Sequence, residues 1–380
     1  MLSLAAIFAV LSYASPASAE SPASVGSVGL KFSGDAGIRA RAEFNSNSLV
    51  DDVKYQYKIR LKAAADLGDG YFFNAMAQNE DVAGGWGTVS GVPVSATGVT
   101  NNVEKYNLQI SNFYFGRTEG SCQYKIGRIP LNSVNNPIFD LAFYAVPTAL
   151  GIYAVDIPVA TYNFDRLFGF NYSTKVGDGD INTTLVVLDN NSTSGNTAAT
   201  GDGLLNDGYA LHLSYKNKLG DVTIEPQALI SLTDVQGAVY QKISPNTFGA
   251  NATIPSGSSK IGISAFYTLC KDSKGVTAAA PLVTANIHYN GYLLRLKGES
   301  GPVMAWVDYN HTNDKLANTT YQNVFVWAQY NVKVHQTSTG SANVNVTPTL
   351  RYRASGKDIA GATTTPNDQL RGELYATVTF

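Results

Sequence analysis

The end of this chain alternates without a break. Leu370, Gly372, Leu374, Ala376, Val378 and Phe380 fall on one side, and Arg371, Glu373, Tyr375, Thr377 and Thr379 on the other. An extended backbone points successive side chains to opposite faces, so this segment presents one apolar and one wet surface. The pattern recurs near the front, where Leu30, Phe32, Gly34, Ala36, Ile38, Ala40, Ala42 and Phe44 interleave with Lys31, Ser33, Asp35, Gly37, Arg39, Arg41 and Glu43. Next, Tyr55, Tyr57, Ile59, Leu61, Ala63, Ala65 and Leu67 interleave with Lys54, Gln56, Lys58, Arg60, Lys62, Ala64 and Asp66. A two-sheet sandwich buries such faces against each other, whereas a barrel in lipid turns them outward.

Further alternating segments follow at 71–77, 106–110, 122–126, 166–174, 181–188, 209–215, 222–232, 261–269, 283–289, 292–299, 303–309, 324–334 and 344–352. Asn290-Gly291 reads as a hairpin turn between two of them. The count is about 16, an even number that brings both chain ends to one side of a membrane. Leu67-Gly68-Asp69-Gly70, Thr118-Glu119-Gly120-Ser121 and Gly177-Asp178-Gly179-Asp180 are short, glycine-rich turns, while 80–102 is a long polar connection. Alternating short turns and long loops is the habit of transmembrane barrels, and closure removes the open sheet edges that hydrocarbon cannot satisfy. The expected fold is therefore all-β: a closed antiparallel transmembrane barrel.

Mean hydropathy of −0.07 is too polar for a bundle of membrane helices. The only helix-like apolar run is 2–13, followed by Ser15, Pro16, Ala17, Ser18 and Ala19. Small residues at 17 and 19 mark a signal-peptidase site, so 1–19 reads as a signal peptide and 20–380 as the barrel, although the basic segment usual in such leaders is absent. A net charge of −2, from 27 basic and 29 acidic residues, argues against a nucleic-acid partner. Cys122 and Cys270 are expected at strand ends on the short-turn rim, several strands apart, too distant for a disulfide. The 22 tyrosines and 16 phenylalanines gather toward strand ends, where interfacial girdles sit.

Between 129 and 160 the alternation stops. This stretch carries prolines at 130, 137, 147 and 158 among Phe139, Leu141, Phe143, Tyr144, Leu150, Ile152, Tyr153 and Ile157. It is too apolar for a solvated loop and must pack against something.

With an alternating last strand ending at Phe380 and a long insertion after the fifth strand, the mature chain resembles the Gram-negative outer-membrane porins, in particular the general diffusion porins. The resemblance implies that 129–160 folds inward as a constriction loop and that the terminal aromatic is read by the insertion machinery. It also implies an outer-membrane location and a homotrimer embedded in outer-membrane lipid. The acidic loop motif of enterobacterial porins is not recognisable, since Asp140 and Asp156 are the only acids in this stretch.

Inward positions of the first two strands hold Lys31, Arg39, Arg41, Lys54, Lys58, Arg60 and Lys62, to which Lys125 and Arg128 are added as neighbours. Arg351, Arg353 and Arg371 adjoin them after closure. The pore-lining set is thus Arg39, Arg41, Lys58, Arg60, Lys62, Lys125 and Arg128, with Asp140 and Asp156 facing them, a transverse field of the kind that sets ion preference. The expected function is a water-filled channel for passive diffusion of small hydrophilic solutes and ions, mildly anion-preferring. No cofactor is implied and no enzyme is expected: His212, His288, His311 and His335 are isolated, with no HExxH, CxxC or GxSxG. Two alternatives stand beside this reading. One is a substrate-specific channel for sugar or phosphate, kept open by inward Phe325 and Trp327; the other is a secreted, soluble β-rich binding protein.

Overall fold

A computed structural model describes residues 29–45, 51–79, 86–89, 108–131, 136–138, 166–189, 208–233, 245–277, 284–315, 318–359, 362–363 and 367–380. The signal peptide expected at 1–19, most of the loop expected at 129–160, and Asp140 and Asp156 lie outside the described residues.

Sixteen strands form one sheet: β1 (Gly29–Asn45), β2 (Asp52–Gly68), β3 (Tyr71–Gln78), β4 (Gln109–Glu119), β5 (Cys122–Pro130), β6 (Arg166–Val176), β7 (Gly179–Asp189), β8 (Gly208–Leu219), β9 (Val222–Ser231), β10 (Asn246–Ser256), β11 (Ser259–Thr277), β12 (Thr284–Ser300), β13 (Val303–Asp314), β14 (Thr319–Tyr330), β15 (Asn343–Ile359) and β16 (Asn367–Thr379). Each runs antiparallel to its chain neighbour, and β16 returns to β1 with Asp35 opposite Thr379 and Asn45 opposite Gln369. The sheet is a closed antiparallel barrel. Short pieces lengthen it: Gly87–Thr88 pairs with β2, and Val332–Gln336 and Ala362–Thr363 pair with β15.

At one rim most connections are two-residue turns, while the connection at 331–342 between β14 and β15 is longer. Gly120, Gly177, Gly220, Gly257 and Gly301 take the first positions of the two-residue turns with φ between 55° and 61°. Positive φ at that position suits the right-handed twist of the flanking strands, and glycine adopts it without a Cβ penalty.

Parity along each strand sorts the side chains as the alternation predicts. Phe32, Ile38, Tyr55, Phe115, Phe168, Leu296, Leu350 and Leu374 are exposed on the outer surface. The buried positions among the described residues are mostly polar, including Arg39, Glu43, Gln56, Asn171, His212, Asn251, Arg295, Asp308 and Glu373. A soluble sandwich has the opposite distribution, so the stacked-sheet alternative is overturned.

Two strand assignments are corrected, and their errors cancel in the count. Asn290-Gly291 is not a turn: both residues lie inside β12, opposite Leu269 and Thr268 of β11 and Asn313 and Thr312 of β13. Long neighbours on both sides hold this backbone extended, which overrides the local turn preference. In turn, β10 lacked a strong sequence signal because Ala250 and Ala252 weaken its apolar face while Gly249 and Pro255 sit on its polar one; it is held by pairing to β9 and β11. Cys122 begins β5 as expected, but Cys270 lies well within β11, opposite Tyr289 and away from the turn at Gly257. Both are thiols rather than a disulfide.

Candidate functional site

Closure of the barrel brings β15 and β16 beside β1 and β2, and their inward positions interlock as an ionic lattice. Three carboxylates organise it. Glu373 lies 3.6 Å from Arg39 and 3.3 Å from Arg351 and also accepts from Arg41. Glu43 lies 3.4 Å from Arg41, 3.0 Å from Lys54 and 2.9 Å from Arg371. Asp35 lies 2.8 Å from Arg60 and 4.0 Å from both Lys58 and Lys62. Arg41 links the first two groups, and Arg353 shares the inward face one rung further along β15.

With Asp52 at 3.7 Å from Lys54 as a fourth, more exposed carboxylate, eight cations meet four anions, so the lattice carries a surplus of positive charge. Each organising carboxylate is shared, which keeps the arginines from repelling one another apart, and the buried pairs are screened far less than exposed ones. Arg39 is further fixed by a bond from Nε to Gln56 Oε1 at 3.0 Å and one from Nη1 to the Tyr375 hydroxyl at 3.2 Å.

Of the sequence-predicted wall, Arg39, Arg41, Lys58, Arg60 and Lys62 are brought together here. Lys125 also takes an inward position, opposite Asn171 on β6, but several strands away from the lattice. Arg128 is a correction: it pairs with Phe113 and Phe168, whose exposed rings meet edge-on at 5.8 Å on the outer surface. Arg128 stands three positions after Lys125, so strand parity places them on opposite faces. The lattice carboxylates are legible by the same parity, since Asp35, Glu43 and Glu373 share the register of the arginines.

A second inner cluster spans β12 to β15. Asp308 accepts from Arg295 at 2.6 Å and 3.0 Å and from Trp306 Nε1 at 3.2 Å. The indoles of Trp306 and Trp327 stack at 4.9 Å with an 11° tilt. Arg351 covers Trp327 at 4.9 Å and Arg295 covers Trp306 at 5.5 Å. Cations over indole faces are held by the ring quadrupole as well as by carboxylates. Inward Phe325 and Trp327 thus belong to an aromatic and guanidinium row that joins the lattice at Arg351.

On the far wall, β8 to β12 border a recess of about 280 Å³ lined by Lys216, Glu225, Asn251, Lys260, Lys297 and Glu299, among others. Within the segment expected to be the inward loop, 129–131 and 136–138 are described; Ile129 and Pro130 pair with Leu167 and Arg166 and finish β5, so the expected loop start at 129 is corrected. There Asn136 Nδ2 donates to Gln227 Oε1 at 3.1 Å, Asn251 Nδ2 donates to Asn136 Oδ1 at 3.3 Å, and Ile138 is fully buried. Gln227 and Asn251 are inward residues of β9 and β10, half the barrel's strands away from β1.

A closed sixteen-stranded antiparallel barrel with an apolar exterior and an ionic interior is the porin fold. Solved structures agree. The trimer form of OmpT, an outer membrane protein of Vibrio cholerae, superposes with a TM-score of 0.53 at 9% identity, covering 93% of this chain and 100% of that one. The anion-selective porin from Comamonas acidovorans superposes with a TM-score of 0.55 at 11% identity, covering 92% and 100%. No protein-family model and no curated protein matches the sequence.

Proposed function

We propose that this chain is an outer-membrane porin: a channel for passive diffusion of small hydrophilic solutes and ions, with a mild preference for anions. The observation that carries the reading is the cation surplus of the inner lattice within a barrel whose outer surface is apolar. Lipid solvates the outer rings, water and ions solvate the inner face, and fixed inner charge biases which ion passes. The match to an anion-selective porin supports the sign.

The bonds from Asn136 to Gln227 and Asn251 support an inward loop after β5 that crosses toward β9 and β10. Such a loop leaves the open path on the side of the lattice. The likeness to a trimer form supports a homotrimer. His212 bonds Gln227 at 2.9 Å, and His311 stacks on Tyr292 at 5.2 Å.

Refolded protein in a planar bilayer tests this directly. Stepwise conductance in KCl and a reversal potential displaced toward chloride under a salt gradient are expected. Clear cation selectivity overturns the anion preference, and absence of conductance overturns the channel. Retention in the outer membrane after a salt wash separates it from a secreted protein. The aromatic row at Trp306, Trp327 and Phe325 favours one second reading, a substrate-specific channel for sugar or phosphate. Saturable current block by either solute at millimolar concentration is its signature.

A further inference from the structure

After 80–85 the connection between β3 and β4 returns to the barrel and resumes beside β2. Gly87 pairs with Tyr57, Thr88 pairs with Gln56, and Val89 N donates to Tyr55 O at 2.9 Å. The register places Trp86 one step further, opposite Lys58, and therefore inward. Its ring lies under two cations, with the Arg39 guanidinium carbon 4.7 Å and the Lys58 ammonium 5.1 Å from ring centroids of the indole. Tyr375 meets it edge-on at 5.3 Å.

The inner face of β1 is shaped for this ring. Its inward positions run Asp35, Gly37, Arg39, Arg41 and Glu43, and the one without a side chain is the one that Trp86 fills. A Cβ on Gly37 would stand 3.0 Å from Thr377 Cγ2 and 3.1 Å from the indole Cη2, both tighter than ordinary contact. An indole set against a wet wall has little apolar surface to join; what holds it is the quadrupole attraction of two desolvated cations.

We infer that Trp86 is a specificity-determining residue of the channel, a second narrowing element that caps Arg39 and Lys58. The inference rests on the channel reading. The ring takes up cross-section beside the lattice and keeps a passing anion from direct contact with the faces of two cations. Removing it widens the path and brings those charges within contact distance of the solute.

The test compares the full-length refolded wild type with Trp86→Ala, Trp86→Leu and Trp86→Phe in planar bilayers, each first checked for the compact barrel by its mobility on unheated gels. Trp86→Ala is expected to raise single-channel conductance about 1.5-fold. It also moves the reversal potential toward chloride, more at about 0.1 M salt than at about 1 M, where screening is shorter-ranged. Trp86→Phe keeps the ring and stays close to wild type. Trp86→Leu keeps apolar volume without the quadrupole and shifts selectivity in the direction of alanine, which serves the test even if alanine fails to fold. Alanine and leucine variants indistinguishable from a conducting wild type overturn the inference and leave the channel reading standing. A silent wild type overturns the channel reading itself.

Discussion

Gly34 and Phe380 exchange both of their backbone hydrogen bonds, at 2.7 Å and 3.0 Å, and so extend the joint between the first and last strands. The absence of a side chain at Gly34 is part of that joint. A Cβ there would stand 2.6 Å from the carbonyl oxygen of Arg60 and 2.7 Å from the Phe380 ring. Gly34→Val is therefore expected to loosen closure, costing about 2 kcal/mol by overpacking. The temperature at which the compact gel form converts to the unfolded form falls accordingly, and an unchanged conversion temperature contradicts the role assigned to Gly34.

Glu373 holds Arg39, Arg41 and Arg351 together, with its side chain fully buried. Glu373→Gln removes the shared negative charge and leaves three guanidinium groups facing one another. The expected outcomes are a shift of the reversal potential toward chloride and a loss of about 3 kcal/mol in stability, the scale of a broken buried ion pair. Bilayer recording and urea titration read the two effects separately.

Arg128 supplies the control. Its register lies on the outer surface between Phe113 and Phe168, whereas Lys58 is inward and within 4.0 Å of Asp35. Arg128→Gln is expected to leave ion selectivity at the wild-type value, and Lys58→Gln to reduce anion preference. Equal shifts from the two variants contradict the assigned faces.

The Arg295 and Asp308 pair, with side-chain exposures of 2% and 0%, locks β12 to β13 on the inner wall. Asp308→Ala leaves Arg295 as a buried charge and also removes the acceptor of Trp306. A loss of about 3–5 kcal/mol in unfolding free energy is expected, and a double variant that also replaces Arg295 with Met is expected to recover much of it.

Asn136 ties a segment between β5 and β6 to Gln227 and Asn251. Asn136→Ala removes both bonds. If that segment anchors an inward loop, single-channel traces become noisier, with more frequent substate transitions, while the melting temperature of the barrel changes little. Traces identical to wild type refute the anchor.

Lys125 and Arg128 differ in strand parity, so the sequence itself sets Arg128 on the face opposite Lys125. The hairpin at Asn290-Gly291 was locally sound but lost to pairing with β11 and β13, and β10 was missed because glycine, alanine and proline blunt its alternation. Trp86 carries no signal of its own, since its inward position depends on the pairing of Gly87 and Thr88 with β2.

Alternation determined that the strands carry one apolar and one polar face, because the face a side chain takes on a strand is a local property of the backbone; closure of the sheet decided that the apolar face is the outer one. Alternation also placed Arg39, Arg41, Lys58, Arg60 and Lys62 on the polar face. Only the closed structure decided which charges neutralise one another and where an indole covers them. Arg41 and Glu373 are 332 residues apart in the chain and meet because the first strand pairs with the last. No local pattern encodes that meeting.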